Sequence, residues 1–232
     1  MILVFVGKSS GKTTNAMNCA AALAQRPVSR RSKRKRVVRL LDADPQGSAT
    51  EQAAQRGEPP LFEVRPYVQV TIHNDLPRLL DGVDDLVIDA PAGVGKPLPV
   101  PDGRIQITRS AILAALGEDN GVVVVPVTPS PYDLWAGDDV MAVIEDAWNS
   151  HGAAPGARLR AVLLMNRAGL TRRGGEGRPD RVPRIVRAAR RRLDAAPLPV
   201  LSTVIHDRQD YVLAPVYGLT VPEYAPHGAA AL

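Results

Sequence analysis

A loop of small residues follows the first apolar run of the chain and reads Gly7-Lys8-Ser9-Ser10-Gly11-Lys12-Thr13-Thr14. The run before it, residues 2–6, has the composition of a strand, and a helical pattern begins at Lys12. A strand, a small-residue loop and a helix that opens with Gly-Lys-Thr can hold a phosphate group, because backbone N–H groups at the helix N-terminus face the anion. The stretch therefore predicts a phosphate-binding loop.

The side chains of this loop have separate predicted roles. Lys12 would contact the outer phosphates, and the Thr13 hydroxyl would ligate Mg²⁺. The usual pattern separates its two glycines by four residues, whereas only three residues separate Gly7 from Gly11. The predicted loop is therefore one residue shorter than usual.

Short apolar runs alternate with longer helical patterns along the rest of the chain. The candidate strands are 2–6, 37–41, 85–89, 121–127, 159–166 and 200–205. The candidate helices are 12–25, 48–56, 109–116, 134–150, 181–193 and 207–216, and the candidate long loops are 93–106 and 169–179. This alternation predicts one α/β domain over residues 1–232, with a mainly parallel sheet covered by helices on both faces. Ligands of such sheets bind beyond the carboxyl ends of the strands.

Composition excludes several classes of protein. No apolar span reaches eighteen residues, and the first six residues are too short for a signal peptide, so we expect a cytoplasmic protein with no membrane partner. Cys19 is the single cysteine, which rules out disulfides within the chain and cysteine-ligated clusters within one subunit. The four histidines are far apart in sequence and suggest no metal site.

Three further segments follow candidate strands in a characteristic order. They are Asp42-Ala43-Asp44-Pro45-Gln46-Gly47-Ser48, residues 84–93 around Asp89, and residues 124–135. Together with the phosphate loop they resemble the ParA/MinD branch of P-loop ATPases, and most of all plasmid-type ParA partition proteins. The resemblance extends to residues 218–224, near the end of the chain.

The resemblance implies a cellular role as well as a fold. A ParA-like protein would bind ATP and Mg²⁺, form a homodimer on ATP binding, and hydrolyse the nucleotide. It would bind DNA without sequence preference, lie on the nucleoid in the cytoplasm, and act with a ParB-like centromere-binding adaptor.

The resemblance also suggests roles for four polar residues. Asp89 would belong to the outer shell of the metal, Asp44 would orient the attacking water, and Asp42 would lie nearby as a further metal-linked acid. Asn166 matches the position of an adenine-reading side chain. Simpler interpretations stay open for three of them: Asp44 could form a turn or cap the helix at Ser48, Asp89 could cap the turn that follows it, and Asn166 could be an ordinary loop residue.

The phosphate loop departs from the family pattern Lys-Gly-Gly-x-Gly-Lys-Thr, in which the first lysine reaches across the dimer to the phosphates of the partner. An alignment without gaps places Gly7 at that position, whereas a one-residue deletion places Lys8 there. Ser9 and Ser10 then replace glycines, which tolerate left-handed backbone more easily. Either Lys8 is a shifted crossing lysine, or hydrolysis is weak or lost.

Basic residues are concentrated in two segments. Residues 26–39 contain eight basic side chains and no acid, and the predicted helix 181–193 combines an apolar stripe with arginines at a spacing of three to four residues. Such stripes are typical of polyanion binding, although a charge run is often only a solvated face. The predicted DNA contacts are Arg184, Arg187, Arg190 and Arg191, with Arg34 and Arg36 in the competing segment.

Other branches of the superfamily lack support in the sequence. Iron–sulfur members need paired cysteines, and the membrane-cycling MinD type has a C-terminal amphipathic basic helix, which residues 221–232 do not form. Two functions remain. The first is an ATPase that moves DNA cargo, and the second is a hydrolysis-deficient, nucleotide-gated DNA-binding or interaction protein.

Overall fold

The computed structural model describes residues 1–8, 11–92, 103–152, 160–169, 184–193 and 198–227, with backbone alone at 131–138 and 184–185. In these ranges one sheet of seven strands forms, and all neighbouring strands are parallel. The strands are β1 (Ile2–Phe5), β2 (Val38–Asp42), β3 (Glu63–Pro66), β4 (Asp85–Asp89), β5 (Gly121–Val127), β6 (Ala161–Ala168) and β7 (Val200–His206). Their order across the sheet is β3-β2-β4-β1-β5-β6-β7.

Helices cover both faces of this sheet. They are α1 (Lys12–Gln25), α2 (Ser48–Ala54), α3 (Leu76–Leu79), α4 (Gly103–Leu116), α5 (Pro131–Ser150), α6 (Arg184–Leu193), α7 (Asp210–Val216) and α8 (Val221–Tyr224). One apolar core lies between the sheet and α1 with α2, and a larger core lies between the sheet and α3 to α6. Along β1, Val4 faces the larger core and Phe5 faces the smaller one, because successive side chains of a strand point to opposite faces. None of the helices in the described ranges combines the length and apolar composition of a membrane span.

The strand order places one loop at the centre of the carboxyl edge of the sheet. β1 lies between β4 and β5, and the chain leaves it towards β2 on one side before returning to build β5 on the other. The loop after β1 therefore lies where the strand order reverses, which is the usual ligand site of open α/β sheets. Asp42 and Asp89 end β2 and β4, and register pairs them directly with each other.

The described structure confirms the predicted α/β class and most elements. The prediction missed β3, whose residues are largely exposed at the sheet edge and form no apolar run, and the four-residue helices α3 and α8. The loop predicted over 93–106 is wrong at its end: α4 already begins at Gly103, because its first turn is exposed and adds no apolar periodicity. The strand predicted over 159–166 continues as β6 to Ala168, which pairs with His206 of β7. Residues 93–102, 159, 170–179 and 181–183 lie outside the described ranges.

Candidate nucleotide-binding site

The loop after β1 begins and ends with glycines of positive φ. Gly7 and Gly11 have φ values of 141° and 83°, and Gly11 directly precedes α1. The conformation of Gly11 therefore favours glycine, and a Cβ atom there would lie 2.5 Å from Nδ2 of Asn166, whose side chain would have to move. Lys8 is exposed, and Ser9 and Ser10 lie outside the described residues. The structure thus leaves the predicted role of Lys8 untested.

Lys12 and Thr13 begin α1 and lie against the carboxylates. The Thr13 hydroxyl donates a hydrogen bond of 2.6 Å to Oδ2 of Asp89. Lys12 is only 5% exposed, and this burial lowers the pKa of its ammonium despite the attraction of Asp89 and Asp44. Because burial disfavours the charged form of Lys12, a bound anion would stabilise its ammonium. The position and the charge of Lys12 therefore suit a bound phosphate.

Two buried carboxylates beside Thr13 each keep one oxygen without a donor. The backbone N–H and the hydroxyl of Thr50 both donate to Oδ2 of Asp42, each at 2.8 Å. Among the described residues, Oδ1 of Asp42 and Oδ1 of Asp89 have no hydrogen-bond partner, and both residues are 1% exposed. Burial raises the pKa of Asp89 to about 7, although Thr13 and Lys12 oppose the shift.

These oxygens fit a divalent cation. A buried carboxylate oxygen without a partner is unfavourable unless a proton or a metal neutralises it. Mg²⁺ is commonly held by one or two carboxylates together with the phosphates of a substrate and water. Thr13, Asp42 and Asp89 supply oxygen atoms of this kind at the end of the phosphate loop. The contact of Asp89 with Thr13 replaces the simpler interpretation in which Asp89 caps the following turn.

Asp44 joins two segments around the same cleft. One carboxylate oxygen accepts a 3.0 Å hydrogen bond from the N–H of Gln46, as in a turn, and the other accepts a 3.0 Å bond from the N–H of Ala92. The helix-capping alternative is wrong for Asp44, because Gly47 is the N-cap residue of α2 and the two oxygens of Asp44 accept from Gln46 and Ala92 instead. Asp44 lines a cleft of about 570 Å³ together with Lys12, Thr13 and residues of α2. A water bound in this cleft would be within its reach.

A second cavity of about 290 Å³ adjoins the first through Thr14, which lines both. Asn166 lines it, as the sequence suggested, together with Arg167, His206 and Tyr211. The last three were not predicted, because only the pairing of β6 with β7 brings their segments together. The one available signal was that Arg167 and His206 lie at the carboxyl ends of candidate strands, where ligands bind. The two cavities together have the layout of a phosphate end and a base end.

Comparison with known proteins shows the family of the chain. No protein-family model matches the chain. The chain is 28% identical over 225 residues to the maintenance of carboxysome distribution protein A of Halothiobacillus neapolitanus, covering 95% of this chain and 85% of the relative. It is 32% identical over 180 residues to the chromosome-partitioning ATPase Soj of Thermus thermophilus, covering 69% and 66%. The chain belongs to the ParA/MinD family of P-loop ATPases.

Solved structures show the same fold. Apo McdA of Cyanothece superposes on this ParA/MinD-family chain with a TM-score of 0.66 at 17% identity, covering 97% of this chain and 93% of McdA. The MinD cell division protein of Aquifex aeolicus gives 0.61 at 16% identity, covering 99% and 92%. At these identities the likeness concerns the fold alone.

In this ParA/MinD-family chain the basic helix α6 packs on the face of the sheet opposite to α1. Its Val186, Ala189 and Leu193 are buried in the larger core, which confirms the predicted apolar stripe at these positions. Arg187 and Arg191 are exposed. The half-buried Arg190 continues this arginine face, whereas the side chain of Arg184 lies outside the described part.

Arg34 and Arg36 have partners within the chain. Both terminal nitrogens of Arg34 donate to the carboxylate of Asp84 at 2.8 Å, and Arg36 donates two hydrogen bonds to the buried carboxylate of Asp85. These acids lie at the amino end of β4, away from the phosphate loop. Their side chains thus hold a segment of the protein in place, and their contact with DNA stays a prediction.

Proposed function

We propose that this chain binds Mg²⁺ and ATP at the carboxyl edge of its sheet and hydrolyses the nucleotide. One observation supports the proposal above all others: Lys12 and Thr13 lie against two buried acids, Asp42 and Asp89, each with an oxygen that accepts from no donor among the described residues. When bound, Mg²⁺ would offset the negative charge of the phosphate oxygens and hold them in position.

Other residues of the chain would contact the phosphates, the attacking water and the base. The N–H groups at the start of α1 would face the phosphates, and Lys12 would donate hydrogen bonds to the outer ones. Asp44 would orient the attacking water, since its carboxylate lies in the same cleft. Asn166 and its neighbours in the second cavity would hold the base. An ATP complex of a McdA variant from Cyanothece, with a TM-score of 0.64, supports ATP as the nucleotide.

DNA is the second partner in this proposal. Arg187 and Arg191 lie four residues apart on an exposed face of α6, which suits contacts with phosphates that carry no sequence information. ATP-dependent dimerisation, with Lys8 reaching the phosphates of the partner, would double this face. Two linked contacts bind more tightly than one because the second gains from effective concentration.

The cargo would be a DNA molecule delivered by a ParB-like adaptor, in keeping with the partition proteins among the relatives. A protein compartment is a second candidate, because one relative, similar over 95% of this chain, is named for carboxysome distribution. The two alternatives share the ATP site and the DNA surface, and they differ in the adaptor.

A hydrolysis-deficient, nucleotide-gated protein is the alternative activity. The shortened loop favours it, and so does Asp44, whose two oxygens already accept backbone hydrogen bonds. Measurement of ATP turnover with and without DNA separates the two. Turnover that needs Mg²⁺ and rises with DNA supports the ATPase, whereas ATP binding without turnover above background supports the alternative.

A further inference from the structure

The segment between α1 and β2 forms a short hairpin, residues 26–36, that we call the basic hairpin. Pro27 and Lys35 form an antiparallel bridge, and the N–H of Val28 donates to the carbonyl of Arg34 at 3.0 Å. The N–H of Arg36 closes the base of the hairpin on the carbonyl of Arg26 at 3.1 Å. A connection from a helix to a strand needs only a few residues, so this ordered excursion is longer than the fold requires.

Arginines and lysines alternate in the last part of the hairpin. Arg34 and Arg36 pair with Asp84 and Asp85, whereas no ion pair joins Lys33 or Lys35 to an acid in the described part of the chain. Residues i and i+2 of extended backbone share a face, so the two paired arginines can hold one side of this stretch against the acids. Arg34 stays at the surface in this pair, because 57% of its side chain is exposed.

The anchor of the hairpin is a dense set of charge contacts. Asp84 also accepts the N–H of Val37 at 2.8 Å, and Arg34 holds the pKa of this carboxyl down at about 2. The N-terminal ammonium lies 3.1 Å from Asp85, which Arg36 also contacts. Bidentate arginine–carboxylate pairs fix orientation as well as position. The hairpin is thus held against the amino ends of β1 and β4.

The outer surface of the hairpin has one sign of charge. Arg30, Arg31, Lys33 and Lys35 are all exposed, and no ion pair joins any of them to an acid in the described part of the chain. Like charges held close together repel each other, so such a cluster is unfavourable unless an anion binds it. Lysine is depleted from the cores of protein–protein interfaces but common at phosphate backbones. A nucleic-acid backbone fits this surface better than an acidic protein does.

We propose that the basic hairpin is a DNA-phosphate contact surface in which Arg30, Arg31, Lys33 and Lys35 face the duplex and Arg34 and Arg36 anchor the hairpin through Asp84 and Asp85. The inference rests on the proposed function, because it takes DNA as the polyanion, and it adds a site separate from α6 and from the nucleotide. β4 spans four residue steps from Asp85 to Asp89, or roughly 13 Å. The anchor at its amino end is therefore separated from the acids of the nucleotide site by the length of this strand.

The test compares three variants of the full chain without nucleotide. The first carries R30Q, R31Q, K33Q and K35Q, the second keeps the charge with R30K and R31K, and the third carries R187Q and R191Q in α6. Fluorescence anisotropy follows binding to two unrelated 30-base-pair duplexes across a salt series. Each lost phosphate contact flattens the log–log salt slope by about 0.9. We expect the first variant to flatten the slope by about 2–4 and the second to leave it within about 0.5 of wild type.

The outcomes distinguish failure of the hairpin proposal from failure of the proposed DNA binding as a whole. If the first variant binds like wild type while the α6 variant is weakened, the hairpin proposal is wrong and DNA binding through α6 stands. If the first variant and the α6 variant both bind DNA with the wild-type salt slope, both proposed DNA surfaces are wrong. A polyglutamate peptide is the competing probe, and tighter binding of this peptide than of DNA, lost in the first variant, would overturn DNA as the ligand. Urea unfolding should give the first variant at least wild-type stability, since its four side chains form no ion pair in the described part of the chain and their mutual repulsion is removed.

Discussion

Replacement of Lys12 by methionine tests whether this lysine binds nucleotide or supports the fold. Methionine keeps much of the length and apolar body of the side chain but removes the ammonium. A lysine ammonium can donate three hydrogen bonds, and a hydrogen bond to a charged group contributes about 1.5–3 kcal/mol. Two such bonds to phosphate oxygens predict a loss of about 3–6 kcal/mol in ATP binding, which corresponds to a Kd roughly 10²- to 10⁴-fold higher.

The same substitution should leave the stability of the nucleotide-free chain nearly unchanged. Burial lowers the pKa of Lys12, so the fold without ligand already disfavours its charge. The neighbouring Asp89 has a pKa of about 7 and can become neutral by protonation when the ammonium is absent. We therefore expect the free energy of unfolding to fall by less than about 1 kcal/mol.

Calorimetric titration with Mg²⁺ and ATP, together with urea unfolding without nucleotide, measures both quantities. Lys35→Met is the matched control, because Lys35 is exposed on the basic hairpin at the opposite edge of the sheet. It should bind ATP with wild-type affinity. Equal affinity of wild type and Lys12→Met would refute the phosphate assignment, and a loss of more than about 3 kcal/mol in stability would show that Lys12 supports the fold instead.

Three further expectations concern single positions. Asp44→Ala should retain ATP binding and lose turnover in a steady-state assay, because an acid that orients water acts mainly in the transition state; normal turnover would reject that role. Gly121→Ala should lower the free energy of unfolding in urea by more than about 2 kcal/mol, since its Cβ would lie 1.8 Å from the carbonyl oxygen of Ala115. Gly82→Ala should lower the free energy of unfolding by only about 1–2 kcal/mol, because Gly82 has a φ of 72° but open space where the Cβ atom would lie. Equal losses for the two variants would contradict the packing argument. Arg34 shifts the pKa of Asp84 from 3.8 to about 2, so the stabilisation from this carboxylate is complete above about pH 4 and disappears as the pH falls towards 2. Asp84→Asn should therefore flatten the decline of the free energy of unfolding over that range, and an unchanged decline would exclude the contribution.

The sequence by itself determined the elements whose signals are local. The phosphate loop and α1 follow from adjacent residues, since glycine at positive φ and Gly-Lys-Thr at a helix start are properties of a single turn. The strands β4 and β5 match the predicted runs, because a buried parallel strand is a continuous apolar segment whatever its neighbours are. The edge strand β3 has no such run and was missed for the same reason.

Only the tertiary structure decided which polar groups meet. Thr13 holds one oxygen of Asp89 because β1 and β4 are neighbours in the sheet, and Asp42 lies beside Asp89 because β2 pairs with β4. The second cavity likewise depends on the pairing of β6 with β7. Strand order sets these contacts, and the apolar pattern of each strand is compatible with many orders.

The basic segment between α1 and β2 shows the same division. Its composition identified a cluster of positive charge, but it could not show which side chains are exposed. The acids that pair with Arg34 and Arg36, Asp84 and Asp85, lie about fifty residues further along the chain. A charge run specifies the sign of a surface, whereas its direction depends on carboxylates that only the assembled sheet brings beside it.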